Sequence, residues 1–273
     1  MEFLNKVISI LDAKMTRPTG YGWFHIMFWA ITLASAFVLC FLYKKGIIKN
    51  VKRVVLITAL TVIAFEIYKL FIFGISYGES ISYSFVWYIF PWQFCSTPMF
   101  IGLLAGLTKG KFHKWMCSFL ATYAVFAGTA VMCYPGDVFI DTIGINIQTM
   151  VCHGSMVTIG IFLYYTGHVE AKIKTLLRAI PVFASCLTIA VVLNEIAGKI
   201  DPNKYNFNLF YISRYHQGTL PVFSLIQNKV PFIVGFIIYV VGFTVLAGVI
   251  LLIAMGIKAI SRAIKNAKAK KAA

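Results

Sequence analysis

Along the chain, apolar residues collect into long, nearly unbroken stretches rather than into alternating or narrowly amphipathic patterns. The stretches run at about Trp23 to Tyr43, Val54 to Phe73, Trp87 to Leu107, His113 to Cys133, Asn146 to Thr166, Leu176 to Ile196 and Pro231 to Gly256. A bilayer core of ~30 Å takes about 20 residues of helix at 1.5 Å rise per residue, so each stretch is long enough for one crossing. The pattern predicts an all-α, polytopic membrane bundle of about seven transmembrane helices. No fixed-period repeat is evident, and the long polar connection is Gly198 to Val230.

The first 22 residues differ. Phe3, Leu4, Val7, Ile8 and Leu11 fall at helical spacing, with Glu2, Lys6, Asp12 and Lys14 elsewhere, which suits a short helix lying in the membrane interface. A cleavable signal peptide needs a continuous apolar region, and Asn5, Lys6 and Asp12 interrupt this one. The chain therefore divides into an interfacial segment (1–22), a seven-helix membrane domain (23–256) and a basic cytoplasmic tail (257–273).

Composition sharpens the class. Of 273 residues, 60% are hydrophobic and 12% charged, against about 45–50% and roughly 25% in soluble domains. That excludes a soluble globular protein and leaves no room for a separate nucleotide-binding domain or ectodomain. The formal charge of +16 could suggest nucleic acid, but the bases are strung between apolar runs and report topology instead. Lys44, Lys45, Lys49, Lys52 and Arg53 follow the first span, Lys109, Lys111 and Lys114 the third, and Lys172, Lys174 and Arg178 the fifth. The tail adds Lys258, Arg262, Lys265, Lys268, Lys270 and Lys271, while the loops around Glu79 and from Asp137 to Asp141 contain neither Lys nor Arg. The positive-inside rule then predicts an outer N-terminus and an inner C-terminus.

All six cysteines (Cys40, Cys95, Cys117, Cys133, Cys152 and Cys186) fall inside the spans, without the paired spacing of a zinc or redox motif. Ionisable residues within spans are costly and mark function by default. Glu66 and Lys69, three apart, share a face of the second span and could pair with each other. Asn194 and Glu195 lie near the outer end of the sixth span, as a polar site or an interfacial cap. Beyond them Tyr205, Arg214, Tyr215 and His216 could line a head-group pocket or form a solvated basic loop.

The third and fifth spans carry the chemistry. The third reads Pro91-Trp92-Gln93-Phe94-Cys95-Ser96-Thr97-Pro98-Met99; its prolines predict a kinked helix with the Phe94 carbonyl deprived of its usual partner. Irregular backbone at membrane depth is tolerated only against protein or a wet cavity, which implies a cavity beside Cys95. The fifth span holds His153, on a face with Asn146, Thr149 and Gly160. A single membrane histidine is either an interhelical hydrogen-bonding group or a base. Both spans run inward, and Cys95 and His153 each sit ~10–12 Å below the outer boundary, so they can face each other. A buried thiol needs a base to become a nucleophile, and His153 would supply it. Cys152 is the rival nucleophile, but it projects about 100° away around the helix.

The segment FPWQFCSTPMFIGLLAG followed by TMVCHGSMV resembles the transmembrane protein 164 (YwaF-like) acyltransferase family. The matching positions are Cys95, the His153-Gly154 pair, Asn194 and, weakly, Tyr205-Asn206-Phe207, within a similarity spanning roughly Trp23 to Gly256. The resemblance implies a cysteine-dependent phospholipid acyltransferase, with Cys95 as nucleophile and His153 as base. Membrane phospholipids and lysophospholipids would be its partners, with no cofactor, metal or nucleic acid. Gln93, Asn146, Glu66, Lys69, Asn194, Glu195, Arg214 and His216 are the expected substrate-binding residues. The expected setting is a bacterial plasma membrane, the polar cavity facing the outer side.

Two other classes compete: a small transporter and a ligand sensor, each using the polar cavity around Glu66, Lys69 and Glu195. A transporter often shows matched broken helices in two halves, and Pro91 and Pro98 have no clear counterpart; a retinal protein lacks its lysine in the last span. The chain has no H-E-x-x-H, no G-x-S-x-G and no Gly-rich phosphate loop.

Overall fold

A computed structural model describes every residue except Asp137, Thr219, Pro221, Val222, Asn228 and Ala273, and the side chains of Lys271 and Ala272. The apolar stretches fold as α2 (Trp23–Lys44), α3 (Val51–Gly74), α4 (Thr97–Leu107), α5 (Gly110–Phe119), α6 (Val125–Cys133), α7 (Ile143–Tyr165), α8 (Ile173–Ile200) and α11 (Phe232–Ala272). A π-helical turn, Leu120–Ala124, joins α5 to α6 into one continuous crossing. The amphipathic start of the chain is α1 (Glu2–Leu11), and the long polar connection carries the short helices α9 (Pro202–Tyr205) and α10 (Phe223–Gln227). Among the described residues, six helical segments are long and apolar enough to cross a membrane. The protein is an all-α, polytopic membrane bundle.

The third apolar stretch is not one kinked helix. Trp87–Ile89 is a single 3-10 turn, Phe90 is extended, and regular helix begins only at Thr97. With 11 residues, α4 rises ~16 Å and spans about half a bilayer core. The sequence explains the difference. Pro91 biases Phe90 away from the helical region, and Pro98 sits in the first turn, where a missing N–H costs nothing. The second proline therefore starts a helix rather than bending one. The Phe94 carbonyl also keeps a partner, the Thr97 hydroxyl, which donates to it at 3.0 Å.

The crossing formed by α5 and α6, together with α7, is largely buried and makes the centre of the bundle, whereas α2 and α11 present most of their apolar surface outward. Small residues set the spacing. Gly128 of α6 lies against the backbone carbonyl of His153, and Gly154 against the Thr32 side chain of α2; a Cβ at either position would collide.

The interfacial segment is tied across the end of the bundle that the charge pattern assigns to the outside. The Met15 N–H donates to the Asp141 carbonyl at 2.8 Å and the Ile143 N–H to that of Ala13 at 3.0 Å. Arg17 donates to the Gly136 carbonyl, Asn5 exchanges hydrogen bonds with Gly78, and the Tyr68 hydroxyl donates to the Leu11 carbonyl. A two-residue antiparallel ladder, β1 (Ile75–Ser76) with β2 (Ser82–Tyr83), closes the loop after α3.

Candidate active site

Cys95 stands on the irregular segment just before α4, and neighbouring side chains anchor that segment to α8 and to the polar loop. Trp92 Nε1 donates to the Cys186 carbonyl of α8 at 3.1 Å. Gln93 Nε2 donates to the Asn208 carbonyl at 3.1 Å, and its Oε1 accepts from the Phe210 N–H at 2.9 Å. Phe94 is buried among Phe126, Phe183, Phe210 and Phe243, with ring centroids 5.0 to 6.3 Å away. The Gln93 amide thereby pairs non-helical backbone of the loop inside protein, as the bilayer requires. Cys95 itself is half-buried.

The loop that meets Gln93 is held equally firmly. Asn194 of α8 clamps Leu209, donating from Nδ2 to its carbonyl at 3.0 Å and accepting from its N–H at 2.9 Å. Asn206, Phe210 and Tyr211 have φ values of 48°, 58° and 56°, in the left-handed region that L-residues enter at a cost.

His153 is buried on α7. Its Nδ1 lies 2.7 Å from the Thr149 carbonyl, which only accepts, so Nδ1 carries the proton and the neutral ring leaves a lone pair on Nε2. Nε2 is buried and has no hydrogen-bond partner among the described residues, so no direct bond joins it to Cys95. A buried ion pair lies in the same neighbourhood: Lys69 Nζ is 2.6 Å from Glu66 Oε1, both side chains being mostly buried. Cys95 lies within electrostatic reach of Lys69, Glu66 and Cys152, and His153 within reach of Lys69. Gln148 Nε2 approaches Glu66 Oε2 at 3.3 Å and Cys152 Sγ at 3.4 Å, linking α7 to the pair. Gln148 was not among the expected residues, although an amide within a span is itself a signal.

The remaining expected residues lie elsewhere. Asn146 is fully buried and holds Ile140, donating to its carbonyl at 2.8 Å and accepting from its N–H at 2.9 Å. Glu195 pairs with Arg214 at 3.2 Å, the guanidinium stacking 4.3 Å above the Phe232 ring, and His216 Nε2 is buried without a partner among the described residues. Gln93, Asn146 and Asn194 thus spend both amide atoms on backbone groups. Asp137 lies outside the described residues. A shallow cleft begins at Pro98 and Met99, with Cys152 in its wall, but Cys95 itself does not line it. A second thiol and imidazole meet on α5, Cys117 Sγ lying 3.5 Å from His113 Nε2, but Cys117 is fully buried in packed core.

The family model for the TMEM164 family matches residues 20–255. The chain belongs to the TMEM164 family. The match starts just before α2, ends within α11 and includes every residue of the Cys95, His153 and Glu66–Lys69 cluster. No curated protein and no solved structure matches this family member.

Proposed function

We propose that this TMEM164-family protein is an acyltransferase of a bacterial plasma membrane that moves fatty acyl groups between glycerophospholipids through an acyl-cysteine. The supporting observation is the unshared lone pair of His153 Nε2, buried in the same ion-pair neighbourhood as Cys95. His153 Nε2 takes the thiol proton of Cys95, directly or through one water, and Sγ attacks the ester carbonyl of a phospholipid. The C–O bond breaks, the imidazolium returns its proton to the departing glycerol oxygen, and a lysophospholipid leaves a thioester behind. In the second half, the hydroxyl of another lysophospholipid gives its proton to His153 and attacks the thioester, releasing the Cys95 thiol. Lys69, held by Glu66, faces the negative charge that develops on sulfur and on the carbonyl oxygen.

The charge pattern supports a position for this cluster in the outer half of the bilayer. Phospholipid chains lie at that depth with their esters at the adjoining interface, whereas cytosolic acyl-CoA does not reach it, so the donor is a phospholipid and the acceptor a lysophospholipid. Purified protein reconstituted with labelled phospholipid and lysolipid should carry one added acyl mass, removed by hydroxylamine, and should transfer label to the lysolipid. Absence of any hydroxylamine-labile adduct refutes the acyl-cysteine, and transfer that requires acyl-CoA refutes the donor.

A further inference from the structure

The last helix, α11, has 41 residues and so measures ~60 Å, about twice a bilayer core. Phe232 to Gly256 is enough for the crossing. The remainder, Ile257 to Ala272, continues as helix past the end of the bundle that the charge pattern assigns to the inside. The last buried residue among those described is Leu251, and from Ala259 to Lys270 every residue is exposed.

Two features mark this extension. Lys258, Arg262, Lys265, Lys268, Lys270 and Lys271 make it strongly positive, and it contains neither Asp nor Glu. Among the described residues, Arg262, Lys265, Lys268 and Lys270 enter no ion pair. Topology needs bases beside a span but no order among their neighbours. Here Ile257, Ile260 and Ile264 recur at helical spacing, each more than half exposed, and they continue a stripe that includes Val249 and Ile253 of the crossing. Lys258, Arg262 and Lys265 lie roughly 130° around the helix from those isoleucines.

The stripe meets lipid inside the bilayer and water beyond it. Gly256 stands at the change. A Cβ there would meet nothing within 4 Å, so no neighbour braces the helix at the residue least able to keep it straight. A bend at Gly256 towards the stripe turns the isoleucines back onto the surface that the crossing has just left, with the bases at the level of the headgroups.

We propose that residues 257–271 form an amphipathic foot that lies on the leaflet where α11 emerges and binds anionic phospholipid headgroups. The isoleucines supply insertion. The bases supply selectivity, because a negatively charged surface attracts them and a zwitterionic one does not. An acidic protein would also satisfy the bases, but the isoleucines continue a lipid-facing stripe without a break, and that continuity favours the membrane.

The experiment reads the depth of two positions. Full-length protein in a Cys133→Ser background carries an environment-sensitive fluorophore at Ile264→Cys or, on the opposite side of the helix, at Asn266→Cys. Each is placed in nanodiscs of phosphatidylcholine, with or without phosphatidylglycerol, that contain a nitroxide lipid as quencher. With phosphatidylglycerol, quenching at 264 should exceed that at 266 several-fold. Salt at ~1 M, which shortens the Debye length to about 3 Å, should abolish the difference, and so should joint replacement of Lys258, Arg262 and Lys265 by Gln. Equal quenching at both positions overturns the proposal; a helix standing in water or held by an acidic partner gives that result. A difference of the same size in phosphatidylcholine alone, or one that survives the triple Gln variant, overturns the headgroup assignment. The labels report position alone, so the outcome is independent of acyl transfer.

Discussion

His153 commits one ring nitrogen to the Thr149 carbonyl, and that single bond decides that the buried nitrogen opposite is a base rather than a donor. Cys95→Ala should abolish both the thioester and acyl transfer while leaving folding intact, because a half-buried thiol leaves little space when trimmed. His153→Ala should lower turnover by roughly 10²–10⁴-fold, the usual contribution of a positioned base. Cys152→Ala, Cys117→Ala and Cys186→Ala should keep activity, and loss of all transfer in the first of these would move the nucleophile to Cys152, the cysteine that lines the cleft. Residue types mark Cys95, His153, Glu66 and Lys69 as candidates in the sequence, but the depth assigned to Cys95 presumed helix over residues 87–95, which the structure lacks. The work of Asn146, Asn194 and Gln93 was not legible there. A buried amide that pairs with backbone looks, in sequence, identical to one that meets substrate; only the chain it touches, 6, 15 and over 100 residues away, tells them apart.

At the scale of elements, hydropathy located each crossing but not the state of the backbone within it. Residues 87–96 are as apolar as the helix that follows, and their departure from helix depends on Pro91 and on the long-range bonds of Trp92 and Gln93. The π-turn at Leu120–Ala124 likewise has no sequence mark. The loop opposite is where these choices are strained, and it yields a contrast that can be measured. Asn206→Gly should leave the thermal midpoint in detergent nearly unchanged, since glycine accepts the φ of 48° freely. Asn206→Ala should cost ~1–2 kcal/mol. Asn194→Ala should cost about as much or more, because the buried Leu209 N–H and carbonyl both lose their partner. Equal midpoints for all three variants would show that the loop does not depend on this geometry.

For the whole molecule, orientation decides which lipids the site can reach, and one native residue reports it. Cys133 is exposed at the end of α6, beside the interfacial segment. A membrane-impermeant maleimide should label it in intact cells, with Cys133→Ser abolishing the signal, whereas Lys172→Cys in that background should react only after permeabilisation. The reverse pattern would place the cluster in the inner half and reopen acyl-CoA as a donor. The segment before α2 adds a constraint of another kind, one of timing. Lys14 bonds Thr142, 128 positions later, and Met15 and Ala13 pair with Asp141 and Ile143. At roughly 5–20 residues per second of synthesis, Thr142 emerges on the order of ten seconds after Lys14. The part of the chain made first is therefore the part that docks late. Until α2 to α6 have been made and α7 has begun, α1 waits without the backbone partners that will hold it, and that end of the bundle stays open.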